Sequence, residues 1–193
     1  MILLTDFGDL AVLLPLAATM LMWLIAQRRR RGLLGWALAV AFCIGVTAVL
    51  KIYFADCGAS AELLSPSGHT SFSTLVYGGI ALVVAAQSTG WQRFIVLAGA
   101  TGLIGGIAIS RILLGAHNLP EVALGMAVGS IAVAVFAWGY LSPRPAGLAL
   151  RPLLATLVVL IILLHGQELQ AEEMLHAISR YLHFGVSAGQ ACG

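Results

Sequence analysis

The stretch LAVLLPLAATMLMWLIA, residues 10–26, is followed at once by QRRRRG, residues 27–32. An uncharged apolar run closed by four consecutive arginines is the pattern of a helix that crosses a bilayer and stops at a charged surface. The pattern recurs along the chain. Leu33 to about Phe54, Thr70 to about Ala86, Phe94 to about Leu114 and Val122 to about Tyr140 are each long enough for the roughly 20 residues a bilayer core requires. A sixth run, Leu153 to about Leu164, is short for a span unless Arg151 snorkels and the helix recruits residues past His165.

Composition agrees with this reading over the whole length. Of 193 residues, 60% are hydrophobic and 9% charged, with a mean hydropathy of +0.99. A soluble domain would carry about a quarter charged residues. The expected fold is therefore all-α: a polytopic membrane protein with a six-transmembrane-helix bundle over residues 1–165 and a C-terminal tail over 166–193. Leu169, Leu175, Ile178 and Leu182 of that tail stand at near-helical spacing. They fit either an interfacial amphipathic helix or a helix packed on the bundle end. Acidic rather than basic residues precede the first apolar run, so it is expected to remain as a transmembrane helix instead of being cleaved.

Charge distribution predicts the orientation. With alternating spans, Arg28 to Arg31, Arg93, Arg144 and Arg151 fall on one side, which the positive-inside rule makes cytoplasmic. All eight acidic residues and all five histidines fall on the other. Both termini are then outside, in the periplasm of a bacterial inner membrane if the source is Gram-negative. Cys57 and Cys192 share that oxidising side, where a disulfide and two free thiols are both open readings. Cys43 lies inside an apolar run and reads as a small buried hydrophobe. No basic patch large enough for nucleic acid faces a soluble compartment apart from the four-arginine loop.

Two polar islands interrupt the apolar sequence on the predicted outer side. The first is Pro66-Ser67-Gly68-His69, at the entry to the third span. A serine and a glycine at a helix start expose backbone N–H groups and the positive end of the helix dipole, an arrangement suited to phosphate. His69 could donate a proton to a leaving group near neutral pH. The second island is Ser110-Arg111, followed by His117 and Glu121. A guanidinium is a forked donor for phosphate oxygens. Glu121, one helical turn past His117, could fix one ring nitrogen and leave the other as a nucleophile. Taken singly, Ser67 and His117 also read as helix caps and Arg111 as a snorkelling interfacial residue. Together, on one side and beside long apolar runs, they read as a functional site.

These motifs, Pro66-Ser67-Gly68-His69 and Ser110-Arg111 with five residues before His117, resemble the second and third motifs of the type 2 phosphatidic acid phosphatase family. That family includes membrane lipid phosphatases, and its site is similar to that of vanadium haloperoxidases. The resemblance covers about residues 10 to 165 and implies a metal-independent phosphatase without a cofactor. His117 would form a phosphohistidine. His69 would protonate the leaving group and then activate water. Lys51, Ser67, Gly68, Ser110 and Arg111 would hold the phosphate, and Glu121 would orient His117.

Two positions depart from the family pattern. Glu121 stands where the family usually has aspartate. The first motif begins at Lys51, but Gly58 and Ala59 occupy the positions of its arginine and proline. One phosphate-binding cation is thus absent from the sequence pattern, and Arg180 of the tail is one candidate replacement. The substrate implied is a membrane lipid phosphate: a polyprenyl diphosphate, phosphatidic acid, phosphatidylglycerol phosphate or lipid A phosphate. No obligate protein partner is expected. Transfer of the phosphoryl group to another lipid, or lipid binding without turnover, are the alternatives.

Overall fold

The structure, a computed structural model, describes residues 2–56, 65–142 and 147–166. Cys57, Gly58, Ala59, Arg144, Arg180, Cys192 and the tail beyond Gly166 lie outside these residues. Among the described residues seven helices follow in order: α1 (Ile2–Asp6), α2 (Leu10–Ala26), α3 (Arg30–Asp56), α4 (Gly68–Gln87), α5 (Gly90–Leu113), α6 (Leu119–Tyr140) and α7 (Leu150–Leu164). Among the described residues there is no strand. Five stretches, Leu4–Ala26, Arg30–Phe54, Gly68–Gln87, Gly90–Leu113 and Leu119–Tyr140, are long and apolar enough to cross a membrane. The chain is an integral membrane protein. α7, with 15 residues, is shorter than these spans.

α4 is the most enclosed helix, packed against α2, α3, α5 and α6. Its first turns carry Thr70, Ser71, Ser73 and Thr74, all buried. Hydroxyls are costly in an apolar interior unless bonded, and these donate within the helix. Ser71 donates to the Gly68 carbonyl at 3.1 Å, Ser73 and Thr74 to that of Thr70 at 3.2 and 2.7 Å. Their small side chains leave room for α6 to come close.

That approach is made by glycine. A methyl group at Gly129 would lie 2.5 Å from the Ser71 carbonyl oxygen and from Thr74 Cβ. One at Gly125 would lie 2.7 Å from the Ser67 carbonyl oxygen. Lipid offers no hydrophobic drive to bring helices together, so close packing of small residues supplies the contact instead. Gly35 and Gly139 do the same between α3 and α6. Gly102 behaves differently: nothing lies within 4 Å of a methyl group there, and Gly106 meets only the Leu4 side chain. The Gly125 and Gly129 pair is internal packing, whereas Gly102 faces outward.

The core runs along the bundle through Leu13, Leu16, Met20, Trp36, Leu75, Ile107, Phe136 and Tyr140. Trp91 and Trp138 are exposed, as interfacial anchors are. Trp23 and Trp36 are not, although they also lie near span ends. Trp36 donates to the Ala17 carbonyl at 3.0 Å, and Trp23 ties α2 to the start of α7 through the Ala149 carbonyl at 2.8 Å. At the same end, Arg29 donates to the Tyr140 carbonyl and the Leu148 amide donates to Gln87. This end carries the arginine loop. The opposite end gathers the starts of α2, α4 and α6 and the ends of α3 and α5.

The glycine contacts predict a contrast. Gly129→Ala places a methyl group against backbone, and overpacking of this kind costs about 1–3 kcal/mol. Gly102→Ala places one in open space and removes a helix-interior glycine, so it should be neutral or stabilising by up to about 1 kcal/mol. Thermal unfolding midpoints in detergent should fall for the first variant and hold or rise for the second. Equal midpoints would show that the α4–α6 approach tolerates a side chain.

Candidate active site

The second polar island is shaped by a tight exit from α5. Gly115 has a φ of +67°, in the left-handed region that glycine enters without strain. The turn it makes sends the amides of Ala116 and His117 back to the Arg111 carbonyl, at 3.1 and 3.2 Å. Five intervening residues therefore return His117 to the level of Arg111. Asn118 then caps α6. Its Oδ1 accepts from the Glu121 amide at 3.0 Å, and Glu121 Oε2 accepts from the Asn118 amide at 3.1 Å, a reciprocal capping box.

The capping carboxylate also holds the imidazole. His117 Nδ1 donates to Glu121 Oε2 at 2.9 Å. The proton is thereby fixed on Nδ1, and Nε2 keeps its lone pair. The other carboxylate oxygen, Oε1, accepts from the Ser65 amide at 2.9 Å, and the Glu121 carbonyl accepts from the Ser67 amide at 3.1 Å. One glutamate thus joins the nucleophile candidate to the loop that starts α4. The side chains of His117 and Glu121 are 8% and 4% exposed.

Burial lowers the His117 pKa below the ordinary imidazole value of 6.5; the bond and charge of Glu121 oppose this, and the charges of Arg111 and Lys51 add to it. The net direction keeps the ring neutral at pH 7, as a nucleophile must be. Lys51 of α3 and Arg111 of the second island therefore both lie within electrostatic range of this imidazole.

The first island forms the start of α4. Ser67 is the N-cap, fully buried, with Oγ accepting from Thr70 Oγ1 at 3.0 Å and from the Thr70 amide at 3.4 Å. The amides of Gly68 and His69, at the first two helical positions, have no partner within the helix. A methyl group at Gly68 would sit 3.9 Å from Lys51 Nζ, so the lysine of α3 lies directly over this helix start. Ser110 is buried and its hydroxyl is committed locally, donating to the Ile107 carbonyl at 2.7 Å and accepting from Thr5 Oγ1 at 2.9 Å. His69 Nε2 stands 3.7 Å from Asp9 Oδ2.

The structure thus gathers Lys51, Ser67, Gly68, His69, Ser110, Arg111, His117 and Glu121 at one end of the bundle. Asn118 and Asp9 were not singled out from the sequence. Asn118-Leu119-Pro120-Glu121 is a capping signature that pattern alone offers; Asp9 has no comparable signal.

The PAP2 superfamily matches residues 50–146, half of the chain, and the match contains every one of these motif residues. The chain belongs to the PAP2 superfamily. Members of this family are generally phosphatases acting on phosphate esters. Among similar proteins is an "Uncharacterized 22.5 kDa protein in cps region" of Klebsiella pneumoniae, 29% identical over 140 residues. That alignment covers 69% of this chain and 66% of the relative, just under two thirds of its length. No solved structure matches the chain at a significant level. In this PAP2 protein the glutamate at 121 both bonds His117 Nδ1 and completes the capping box of α6.

The direction of the His117 shift sets a pH expectation. If His117 is the nucleophile it must react deprotonated, so the acid limb of kcat/KM should lie below the ordinary imidazole value of 6.5. Glu121→Gln removes the interactions that favour the imidazolium, moving that limb to still lower pH. It should also cut the rate by about 10²- to 10⁴-fold, because the ring loses its fixed tautomer. An acid limb that stays in place in the variant would show that Glu121 does not set the state of His117.

Proposed function

We propose that this protein is an integral membrane phosphatase that hydrolyses a lipid phosphomonoester or diphosphate through a phosphohistidine at His117. The observation that carries this reading is the His117–Glu121 bond: a neutral imidazole with Nδ1 held, beside Lys51, Arg111 and the open start of α4. A phosphoryl group bound there would meet two side-chain cations and the Gly68 and His69 amides, with the Ser67 hydroxyl beside them. Fixed donors of this kind stabilise charge on transferring oxygens without reorganising.

In the first step His117 Nε2 forms a bond to phosphorus while the bond from phosphorus to the leaving oxygen breaks. The leaving oxygen takes the electron pair and a proton from His69. In the second, water attacks the phosphohistidine and passes a proton to His69 as its oxygen bonds to phosphorus. The P–N bond then breaks, its electron pair returns to Nε2, and inorganic phosphate is released. The scheme uses no metal or cofactor: the cations and amides supply the charge.

The charge pattern supports an orientation in which the arginine loop is cytoplasmic and the site, with both termini, faces the exterior or periplasm. A site at the ends of apolar helices is then within reach of head groups in the outer leaflet. The lipid substrate follows from that position: its phosphate enters the site while its chains stay in the bilayer.

Phosphate release from phosphatidic acid, phosphatidylglycerol phosphate and a polyprenyl diphosphate in detergent tests the proposal. Wild type should turn over at least one, and His117→Ala should lose about 10³-fold or more, as removal of a covalent nucleophile does. Brief reaction with labelled lipid followed by denaturation should trap label on the wild-type chain in an acid-labile, base-stable form. Turnover that survives in His117→Ala would overturn the mechanism.

A further inference from the structure

His69 is the proposed proton donor, and the side chain that meets it comes from outside the stretch shared with the family. Asp9 precedes residues 50–146 and caps α2, where its Oδ1 accepts from the Ala11 amide at 2.7 Å. Its second oxygen, Oδ2, stands 3.7 Å from His69 Nε2, an ion-pair separation that is longer than a hydrogen bond. Catalytic contacts are often long in the free enzyme and tighten when substrate binds. A helix cap needs one acceptor. This one has a second oxygen aimed at the imidazole.

The segment bearing Asp9 is fastened far more firmly than a cap requires. Tyr77 of α4 donates to the Phe7 carbonyl at 2.7 Å, and Thr5 donates to Ser110 Oγ at 2.9 Å. The Gly8 amide turns back to the Thr5 carbonyl at 2.7 Å and that of Asp9 to Asp6 at 3.2 Å. Gly8 is pressed into the gap: a methyl group there would lie 2.8 Å from Ile107 Cγ2 and 3.6 Å from His69 Cβ. Bonds to α4 and α5, the helices that bear His69 and Arg111, hold the turn against the site.

We propose that Asp9 is a positioning residue for His69, accepting from Nε2–H and so turning the other ring nitrogen toward the substrate. The catalytic part of this assignment rests on the phosphatase reading; the pairing itself does not. Asp9 would serve His69 as Glu121 serves His117, and each carboxylate would combine helix capping with orientation of an imidazole. The N-terminal segment then belongs to the active site, although it precedes residues 50–146, the stretch shared with the family.

Asp9→Asn separates capping from orientation. Asparagine is as good an N-cap as aspartate, but it has one oxygen. With that oxygen held by the Ala11 amide, its NH2 group faces His69 and can only donate, so the imidazole should change tautomer. Nitrogen-15 spectra of the full-length protein in detergent, with the His69 signal assigned by its loss in His69→Gln, should show Nε2 protonated in wild type and Nδ1 protonated in Asp9→Asn. Turnover of a lipid phosphate should fall about 10- to 100-fold in kcat with KM within about twofold. p-Nitrophenyl phosphate, whose leaving group needs little proton donation, should lose much less.

Asp9→Ser, which also caps, should give the same kinetic pattern. An unchanged His69 signal in a folded Asp9→Asn protein would overturn the pairing. So would loss of the fold in both Asn and Ser variants, since that would make the carboxylate purely structural. If wild type releases no phosphate, the phosphatase reading fails while the spectra still decide the pairing. If wild type is active and Asp9→Asn matches it on both substrates, the positioning role fails and the phosphatase reading stands.

Discussion

The Glu121 carboxylate is the joint on which the site depends. It accepts from His117 Nδ1, the Asn118 amide and the Ser65 amide, while its backbone carbonyl accepts from Ser67. Four donors from two separate polar islands meet one residue. Groups buried at the end of an apolar bundle must be paired, because an unsatisfied one costs several times what a formed bond contributes. The network therefore closes in one way, and that way brings the two islands together. The extra methylene of glutamate over the family's usual aspartate fits this geometry: the chain reaches back to its own cap while both oxygens remain available to other donors.

The joint would have nothing to hold if α6 could not lie against α4. Gly125 and Gly129 make that possible, and they sit directly below Glu121 on the same helix. Gly125 faces the Ser67 carbonyl and Thr70, so the close approach begins at the N-cap of α4 itself. Packing and chemistry are thus continuous along one interface. The hydroxyls of Ser71 and Thr74 fit the same scheme, being small enough to admit α6 and bonded within their own helix, while that of Thr70 donates to the N-cap Ser67.

Much of this was legible in sequence. Apolar length alone located Leu10–Ala26, and the helix boundaries elsewhere moved by a few residues, mainly because polar caps such as Asn118 start helices before their apolar runs begin. The motifs pointed to the right end of each helix because ionisable residues stand out against an apolar background. Hydropathy does not say which face turns inward: Trp23 and Trp36 lie near span ends, where interfacial anchors lie, yet both are core. Gly102 and Gly125 have equivalent local spacing, and only the partner across the interface distinguishes them. Asp9 was the least legible. It is far from His69 in sequence, and the turn that carries it is set by Tyr77, Ser110 and Ile107, three contacts that no local pattern encodes.

The electrostatics of this end follow from the way the helices alternate. Where the family pattern has an arginine, residue 58 is glycine, and the side-chain cations described at this end are Lys51 and Arg111. The helices α2, α4 and α6 all begin here, however, and each directs the positive end of its dipole the same way. Two of the three are capped by, or within one turn of, a carboxylate that also reaches a histidine. The third, α4, is capped by the neutral Ser67, and it is the one Lys51 overlies. An anion entering this pocket would therefore find its strongest attraction at α4, since the dipoles of α2 and α6 are already answered by Asp9 and Glu121. In the proposed reaction that asymmetry would direct phosphate to the start of α4, and it arises from the choice of capping residue at three helix N-termini.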